Sequence, residues 1–122
     1  MKTIETDRLT LRTWRLDDFG DFYEYASDPS VGPSAGWKPH TDRMESLNIL
    51  ISFIEGGEVF AIEDKISGKA IGSIGLHPDR KRNNPKVRMI GYVLAKPFWG
   101  KGLALEAVDA VLNYAYSDLN LN

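Results

Sequence analysis

The sequence predicts an α+β fold in which a mixed, mainly antiparallel sheet is flanked by helices. Three observations support it: a segment near the N-terminus alternates with a period of two, two β-rich runs are joined by a turn-rich segment, and three stretches have helical spacing of apolar residues. Strands joined by a hairpin are antiparallel, which excludes a purely alternating βαβ fold. The predicted order is β-α-α-β-β-β-α.

The N-terminal half contains one predicted strand and two predicted helices. Residues Leu9 to Trp14 alternate as a strand does, and an acidic start at Asp17 precedes a short amphipathic helix. Prolines and glycines make Ser27 to His40 a predicted loop. Thr41 or Asp42 can then cap a second helix, which ends at two glycines.

The C-terminal half contains three predicted strands and a helix. Val59 to Ile62 and Ala70 to Leu76 are β-rich and flank the turn-rich Asp64 to Lys69, so they predict a hairpin. Val87 to Leu94 predicts a further strand, and a helical pattern begins at Leu103. The predicted buried face of this helix consists of Ala104, Val108, Val111, Leu112 and Ala115.

Composition excludes several classes of function. Lys and Arg number 15 against 17 Asp and Glu, and the net charge of −2 indicates no surface for nucleic acid or a membrane. The absence of cysteine excludes disulfides, thiolate metal sites and cysteine nucleophiles. The N-terminus lacks the apolar run of a signal peptide. We expect residues 1–122 to form a single cytoplasmic domain without a metal site.

The most informative motif is Trp99-Gly100-Lys101-Gly102-Leu103-Ala104, which joins a predicted strand to a predicted helix. Small residues allow a ligand to approach the backbone, and the first N–H groups of a helix attract anions. The motif is therefore either a phosphate site or only a tight turn. A P-loop is excluded because Gly102, not Ser or Thr, follows Lys101. A dinucleotide fingerprint is excluded because Leu105 stands where a small residue is needed.

An ordered set of segments resembles one known family. The sequence is similar to the GCN5-related N-acetyltransferases (GNAT), and specifically to their RimJ/RimL-type branch. The segments that carry the resemblance are residues 5–12, 36–41, 71–76, 90–94 and 99–107. The resemblance implies a GNAT-like fold and transfer of an acetyl group from acetyl-CoA to a primary amine, on a small molecule or a protein N-terminus.

The resemblance also implies which residues hold acetyl-CoA. The pyrophosphate would lie on the backbone N–H groups of the glycine motif, and the pantetheine arm would pair with the edge of the preceding strand. The implied cofactor-binding residues are Val93, Leu94, Trp99, Gly100, Lys101, Gly102, Leu103 and Ala104. Trp99 stands where the wider superfamily prefers Arg or Gln, which weakens a side-chain role in phosphate binding.

No catalytic residue is assigned. Related enzymes often carry a glutamate where Met89 stands, and His77 and His40 are candidate substitutes that can equally be exposed polar residues. Glu106 can favour the start of its helix through the helix dipole alone. A further alternative is therefore a coenzyme A-binding module, or an inactive fragment, that does not turn over.

Three smaller expectations remain. The chain stops where the family's C-terminal β-α-β-β portion would begin, so we expect an unpaired sheet edge and self-association through it. Trp37 either lines the acceptor pocket or anchors a loop. A basic run either contacts the 3′-phosphate of coenzyme A or is a solvated loop; it consists of Arg80, Lys81, Arg82, Lys86 and Arg88.

Overall fold

A computed structural model describes residues 3–29, 31, 42–56, 59–78 and 88–117. Five strands form one sheet in the order β1-β2-β3-β4-β5, and every neighbouring pair is antiparallel. The strands are β1 (Ile4–Glu5), β2 (Leu9–Arg12), β3 (Val59–Asp64), β4 (Ala70–Pro78) and β5 (Arg88–Leu94). The predicted α+β class and antiparallel hairpin are confirmed.

Three α-helices of the described residues flank the sheet: α1 (Phe19–Ala26), α2 (Arg43–Gly56) and α3 (Leu103–Ser117). Short 3-10 helices, Leu16–Asp18 and Lys96–Phe98, precede α1 and α3. Asp42 caps α2, because its carboxylate accepts a 2.9 Å hydrogen bond from the N–H of Met44. No helix in these described ranges is both long and apolar enough to cross a lipid bilayer.

The helices pack on both faces of the sheet and create two hydrophobic clusters. On one face, α3 buries residues spaced four apart, and the cluster comprises Leu9, Leu11, Phe60, Ile62, Ile71, Ile74, Leu94, Leu103, Ala107 and Val111. On the other face, α1 and α2 pack in a cluster of Trp14, Phe22, Tyr25, Ala26, Val31, Leu50, Ala61 and Ala70. Because successive side chains of a strand point to opposite faces of the sheet, the strands contribute apolar residues to both clusters.

A buried charge cluster ties α1 to the sheet. The guanidinium of Arg12, on β2, donates two hydrogen bonds of 2.8 and 2.9 Å to the carboxylate of Asp18 and one of 2.8 Å to Glu63. Asp18 also accepts a 2.8 Å hydrogen bond from the N–H of Arg15, just before the 3-10 helix. These bonds fix the point where the chain leaves the sheet and enters α1.

The structure corrects several predicted details. β1 was not predicted, because two residues carry no periodic pattern; it pairs with β2 through Ile4 and Leu11. The strand predicted over Leu9 to Trp14 ends at Arg12, and the strand predicted over Ala70 to Leu76 continues to Pro78.

The buried face of α3 was predicted only in part. Among the described residues of this helix, the buried ones are Leu103, Ala107 and Val111, of which only Val111 was predicted; Ala104 and Val108 are partly buried, and Leu112 is 40% exposed. Apolar residues form two overlapping stripes on this helix, so its sequence alone does not tell which stripe is buried. The packing of Leu103 against the sheet determines it. The single-domain boundary and the self-association remain predictions.

Candidate active site

One cavity lies where β5 ends and α3 begins. Its volume is about 590 Å³, and it opens between the C-terminal end of β5 and the glycine motif. Its walls are formed by Val31, Tyr92, Val93, Leu94, Phe98, Trp99, Gly100, Gly102, Leu103 and Ala104. A strand end and a helix start therefore share one concave surface, which is the usual setting for a small-molecule site.

Two glycines give the loop before α3 its shape. Gly100 and Gly102 both have a φ of 77°, in the left-handed region that side chains disfavour. A Cβ atom added to Gly100 would meet no atom of the described chain within 4 Å, whereas one on Gly102 would lie 3.6 Å from Nη2 of Arg8. The backbone at Gly100 therefore faces open space, and only its conformation requires glycine.

The N–H groups of this loop are not used inside the described part of the chain. The turn before it is closed by hydrogen bonds from Phe98 and Trp99, and the first bond of α3 runs from the N–H of Glu106 to Gly102, at 3.1 Å. Between these points, in the segments that the structure describes, no hydrogen bond starts from the N–H groups of residues 100–104. Such unused donors at a helix start are suited to an anion.

The last residues of β5 alternate between the two sides of the strand. The Val93 carbonyl faces β4, since a Cβ atom on Gly72 would lie 2.1 Å from it. The Leu94 carbonyl faces away from β4 and accepts a 2.8 Å hydrogen bond from the indole N–H of Trp99. Because the N–H and C=O of one strand residue point to the same side, the Leu94 N–H also faces away from β4.

The cavity brings together seven of the eight predicted cofactor-binding residues. The exception is Lys101, whose ammonium lies 5.6 Å from the centroid of the Phe98 ring and which does not line the cavity. Sequence reasoning missed Val31 and Tyr92 as wall residues. Phe98, a further wall residue, is half-buried and packs against the hydrophobic cluster on the α3 face of the sheet.

Several candidates lie outside the described residues. His40, Trp37 and the basic residues 80–82 and 86 belong to ranges that the structure does not describe. For His77, Arg88 and Met89, the backbone is placed in β4 and β5, but the side chains are not described. No catalytic side chain is therefore assigned among the described residues.

Comparison with known proteins decides the family. A model of the acetyltransferase (GNAT) domain matches residues 8–122. An uncharacterized N-acetyltransferase of Bacillus licheniformis, p20, is 34% identical over 127 aligned residues, which cover 100% of this chain and 70% of p20. The chain belongs to the GNAT acetyltransferase family. This confirms the resemblance to GNAT; the RimJ/RimL branch remains a prediction.

Solved structures share the GNAT fold. A GNAT-family acetyltransferase from Bacillus anthracis superposes with a TM-score of 0.85 at 23% identity, over 98% of this chain and 69% of that one. A putative ribosomal-protein-serine acetyltransferase from Vibrio cholerae superposes with a TM-score of 0.76 at 16% identity, over 98% of this chain and 70% of that one. At these identities the likeness shows the fold alone, with the GNAT sheet and its flanking helices.

Proposed function

We propose that the protein transfers the acetyl group of acetyl-CoA to a primary amine. The observation that carries this proposal is a cavity lined by the end of β5 and by Gly100, Gly102, Leu103 and Ala104, whose N–H groups make no hydrogen bond within the described residues. A diphosphate needs several convergent donors, and a thioester arm needs an apolar channel with a strand edge beside it. The cavity offers both within one surface.

The described residues fit coenzyme A in three respects. The loop N–H groups and the N-terminal dipole of α3 attract the two phosphates. The open space beside Gly100 allows close approach of an anion to the backbone. The Leu94 N–H, on the side away from β4, is placed to donate to the pantetheine arm or to the thioester oxygen as negative charge develops there.

The proposed reaction is direct transfer. The amine nitrogen forms a bond to the thioester carbon, the carbon–sulfur bond breaks, the nitrogen loses a proton and the thiolate gains one. The main contribution of the described residues is to hold the thioester in attacking geometry. An amine of low pKa needs the least help to lose its proton, which favours an α-amino group of pKa about 8 over a lysine of about 10.4.

We further propose that the acceptor is the N-terminal α-amino group of a protein. This rests on that difference in pKa, on the resemblance to the RimJ/RimL branch, and on the similar fold of the Vibrio cholerae protein, which is named a putative ribosomal-protein-serine acetyltransferase. A cytoplasmic location belongs to the same proposal, because acetyl-CoA and nascent protein N-termini are both present there.

Calorimetry and a thiol assay test the proposal. Acetyl-CoA is titrated into the protein, and release of coenzyme A thiol is then followed with a panel of peptides and small amines, with an N-terminally blocked peptide that retains a lysine as control. Binding with turnover of the free N-terminus is the expected result. Binding without turnover would indicate a coenzyme A-binding module that is not an enzyme. Absence of binding would refute the proposal.

A further inference from the structure

Arg8 joins the N-terminal hairpin to the glycine loop. It lies in the turn between β1 and β2, and its Nη1 donates a 2.8 Å hydrogen bond to the carbonyl of Lys101. Its Nε donates a 2.7 Å hydrogen bond to the carboxylate of Glu106, in the first turn of α3. One guanidinium therefore contacts both the loop and the helix that follows it.

Glu106 fixes the position of that guanidinium. Its second carboxylate oxygen accepts a 2.9 Å hydrogen bond from the backbone N–H of Arg8 and another from the hydroxyl of Thr6. The Thr6 hydroxyl in turn accepts a 3.0 Å hydrogen bond from the N–H of Leu9, at the start of β2. The side chain of Glu106 is 18% exposed, so these bonds are partly shielded from solvent. Arg8 is held by both its backbone and its side chain.

The bond to the Lys101 carbonyl determines where the next N–H points. In a trans peptide the C=O and the N–H point in opposite directions, and the described chain contains no cis peptide. With the Lys101 carbonyl directed at Arg8, the Gly102 N–H is directed away from Arg8. Gly102 lines the cavity and neither Arg8 nor Lys101 does. This orientation leaves the Gly102 N–H available to the proposed phosphates.

A glycine at 102 makes such a restraint necessary. Glycine adopts positive and negative φ about equally readily, so the peptide between Lys101 and Gly102 can flip at little cost. A flip would direct the Lys101 carbonyl oxygen, instead of the Gly102 N–H, toward the cavity, where it would repel an anion. The 2.8 Å bond from Arg8 stabilises one of the two orientations.

We propose that Arg8 and Glu106 are positioning residues, which act together to hold the loop of residues 100–102 in the orientation that binds the diphosphate of coenzyme A. Neither side chain needs to touch the coenzyme. The inference deepens the proposed function and rests on it for the identity of the ligand. Arg8 is 46% exposed, and ion pairs this exposed contribute little to folding, so variants at this position are expected to fold.

The test compares Arg8→Gln, Arg8→Lys and the control Arg15→Gln, which removes a charge that is 61% exposed and makes no hydrogen bond to the loop among the described residues. We expect Arg8→Gln to raise the Kd for coenzyme A about tenfold, because a charge-assisted restraint on the loop is lost. Arg8→Lys keeps the charge but loses the planar guanidinium that can donate to two acceptors at once, so the Kd for coenzyme A should rise by a similar factor. In turnover, the KM for acetyl-CoA should rise while the KM for the amine stays unchanged.

A double-mutant cycle tests the joint action. Glu106→Gln and Arg8→Gln should be non-additive, because each removes the same restraint. A wild-type Kd for Arg8→Gln, full retention of binding by Arg8→Lys, or additive effects of the two positions would each overturn the inference. The three results separate positioning from simple attraction between the Arg8 charge and the phosphates.

A measurement on the free protein keeps this inference separate from the proposed function. The NMR order parameters of the Gly100 and Gly102 amides are expected to fall from about 0.85 in the wild type to below about 0.6 in Arg8→Gln. If the wild type binds no coenzyme A, the proposed function fails, and the order parameters alone decide the loop restraint. If they are equal in the two proteins, the restraint does not exist.

Discussion

Gly100 and Gly68 have nearly the same backbone conformation in different surroundings. Their φ angles are 77° and 73°, and an added Cβ atom at either position would meet no described atom within 4 Å. Gly68 lies in the exposed turn between β3 and β4, whereas Gly100 lines the cavity. The pair therefore separates the conformational role of a glycine from a role in ligand binding.

This pair supports a prediction at the scale of single residues. Gly100→Ala and Gly68→Ala should each lower the free energy of unfolding by about 1–2 kcal/mol, the cost of a side chain in the left-handed region. Only Gly100→Ala should also raise the Kd for coenzyme A, because its methyl group enters the proposed phosphate site. Urea unfolding and calorimetry on both variants check this. Equal affinities in the two variants would place the coenzyme elsewhere.

Other functional contacts of single residues could not be predicted from the sequence. The glycine motif was predictable because its residues are adjacent and their chemistry is local. The partnership of Arg8 with Glu106 spans 98 positions, and the sequence suggested only a dipole effect for the glutamate. The indole of Trp99 likewise contacts the backbone of Leu94, a side chain-to-backbone bond that no residue pattern indicates.

At the scale of elements, Gly72 determines how closely β5 approaches β4. A Cβ atom at this position would lie 2.1 Å from the Val93 carbonyl oxygen, so any side chain must displace one strand. Gly20, in the first turn of α1, is the contrasting case, because an added Cβ atom there meets no described atom within 4 Å. The two glycines predict opposite effects of the same substitution.

Gly72→Ala should destabilise the protein by about 3 kcal/mol or more, since the clash is with backbone and cannot be relieved by a rotamer change. Gly20→Ala should stabilise it by at most about 0.5–1 kcal/mol, because alanine loses less entropy in a helix but the position lies in the first turn. Thermal and urea unfolding measure both. Should Gly72→Ala unfold at the wild-type midpoint, the close approach of β5 to β4 would be contradicted.

The elements themselves were largely predictable from their patterns. The hairpin of β3 and β4 has strong β-formers around a turn that contains Gly68, and α2 has a cap at Asp42, so local chemistry specified both. β1 was missed because it exists only through pairing with β2. The buried face of α3 was predicted at Val111 but missed at Leu103 and Ala107, because the packing against the sheet, and not the helix pattern, selects them.

At the scale of the whole molecule, carboxylates tie the helices of both layers to the sheet. Asp18 joins the start of α1 to β2 through Arg12, and Glu106 joins the start of α3 to the turn between β1 and β2. Burial raises the pKa of both carboxyl groups, but hydrogen bonds outweigh burial. Those from Arg12 and Arg15 lower the pKa of Asp18 below 3.8, and those from Thr6 and Arg8 lower the pKa of Glu106 below 4.5.

The attachment of α1 and that of α3 to the sheet should therefore both lose stability in acid. A carboxyl group whose pKa is lower in the folded state stabilises the protein fully above its unfolded pKa, and this contribution is lost as the pH falls through the folded value. The unfolded chain binds the protons first, so the free energy of unfolding should stay level down to about pH 5 and then decline below the ordinary pKa values of 4.5 and 3.8.

Asp18→Asn is the matched variant for this pH dependence. At neutral pH it should lower the free energy of unfolding by about 3 kcal/mol, because the Arg12 charge stays buried with only Glu63 as an acidic partner. Below the ordinary Asp18 pKa of 3.8 the difference from wild type should shrink, since the unfolded wild-type chain then binds a proton that the folded carboxylate does not. Urea unfolding between pH 3 and pH 7 measures both curves. Parallel curves would show that Asp18 does not titrate with folding, and the acid sensitivity would then have to come from Glu106 and the surface carboxylates.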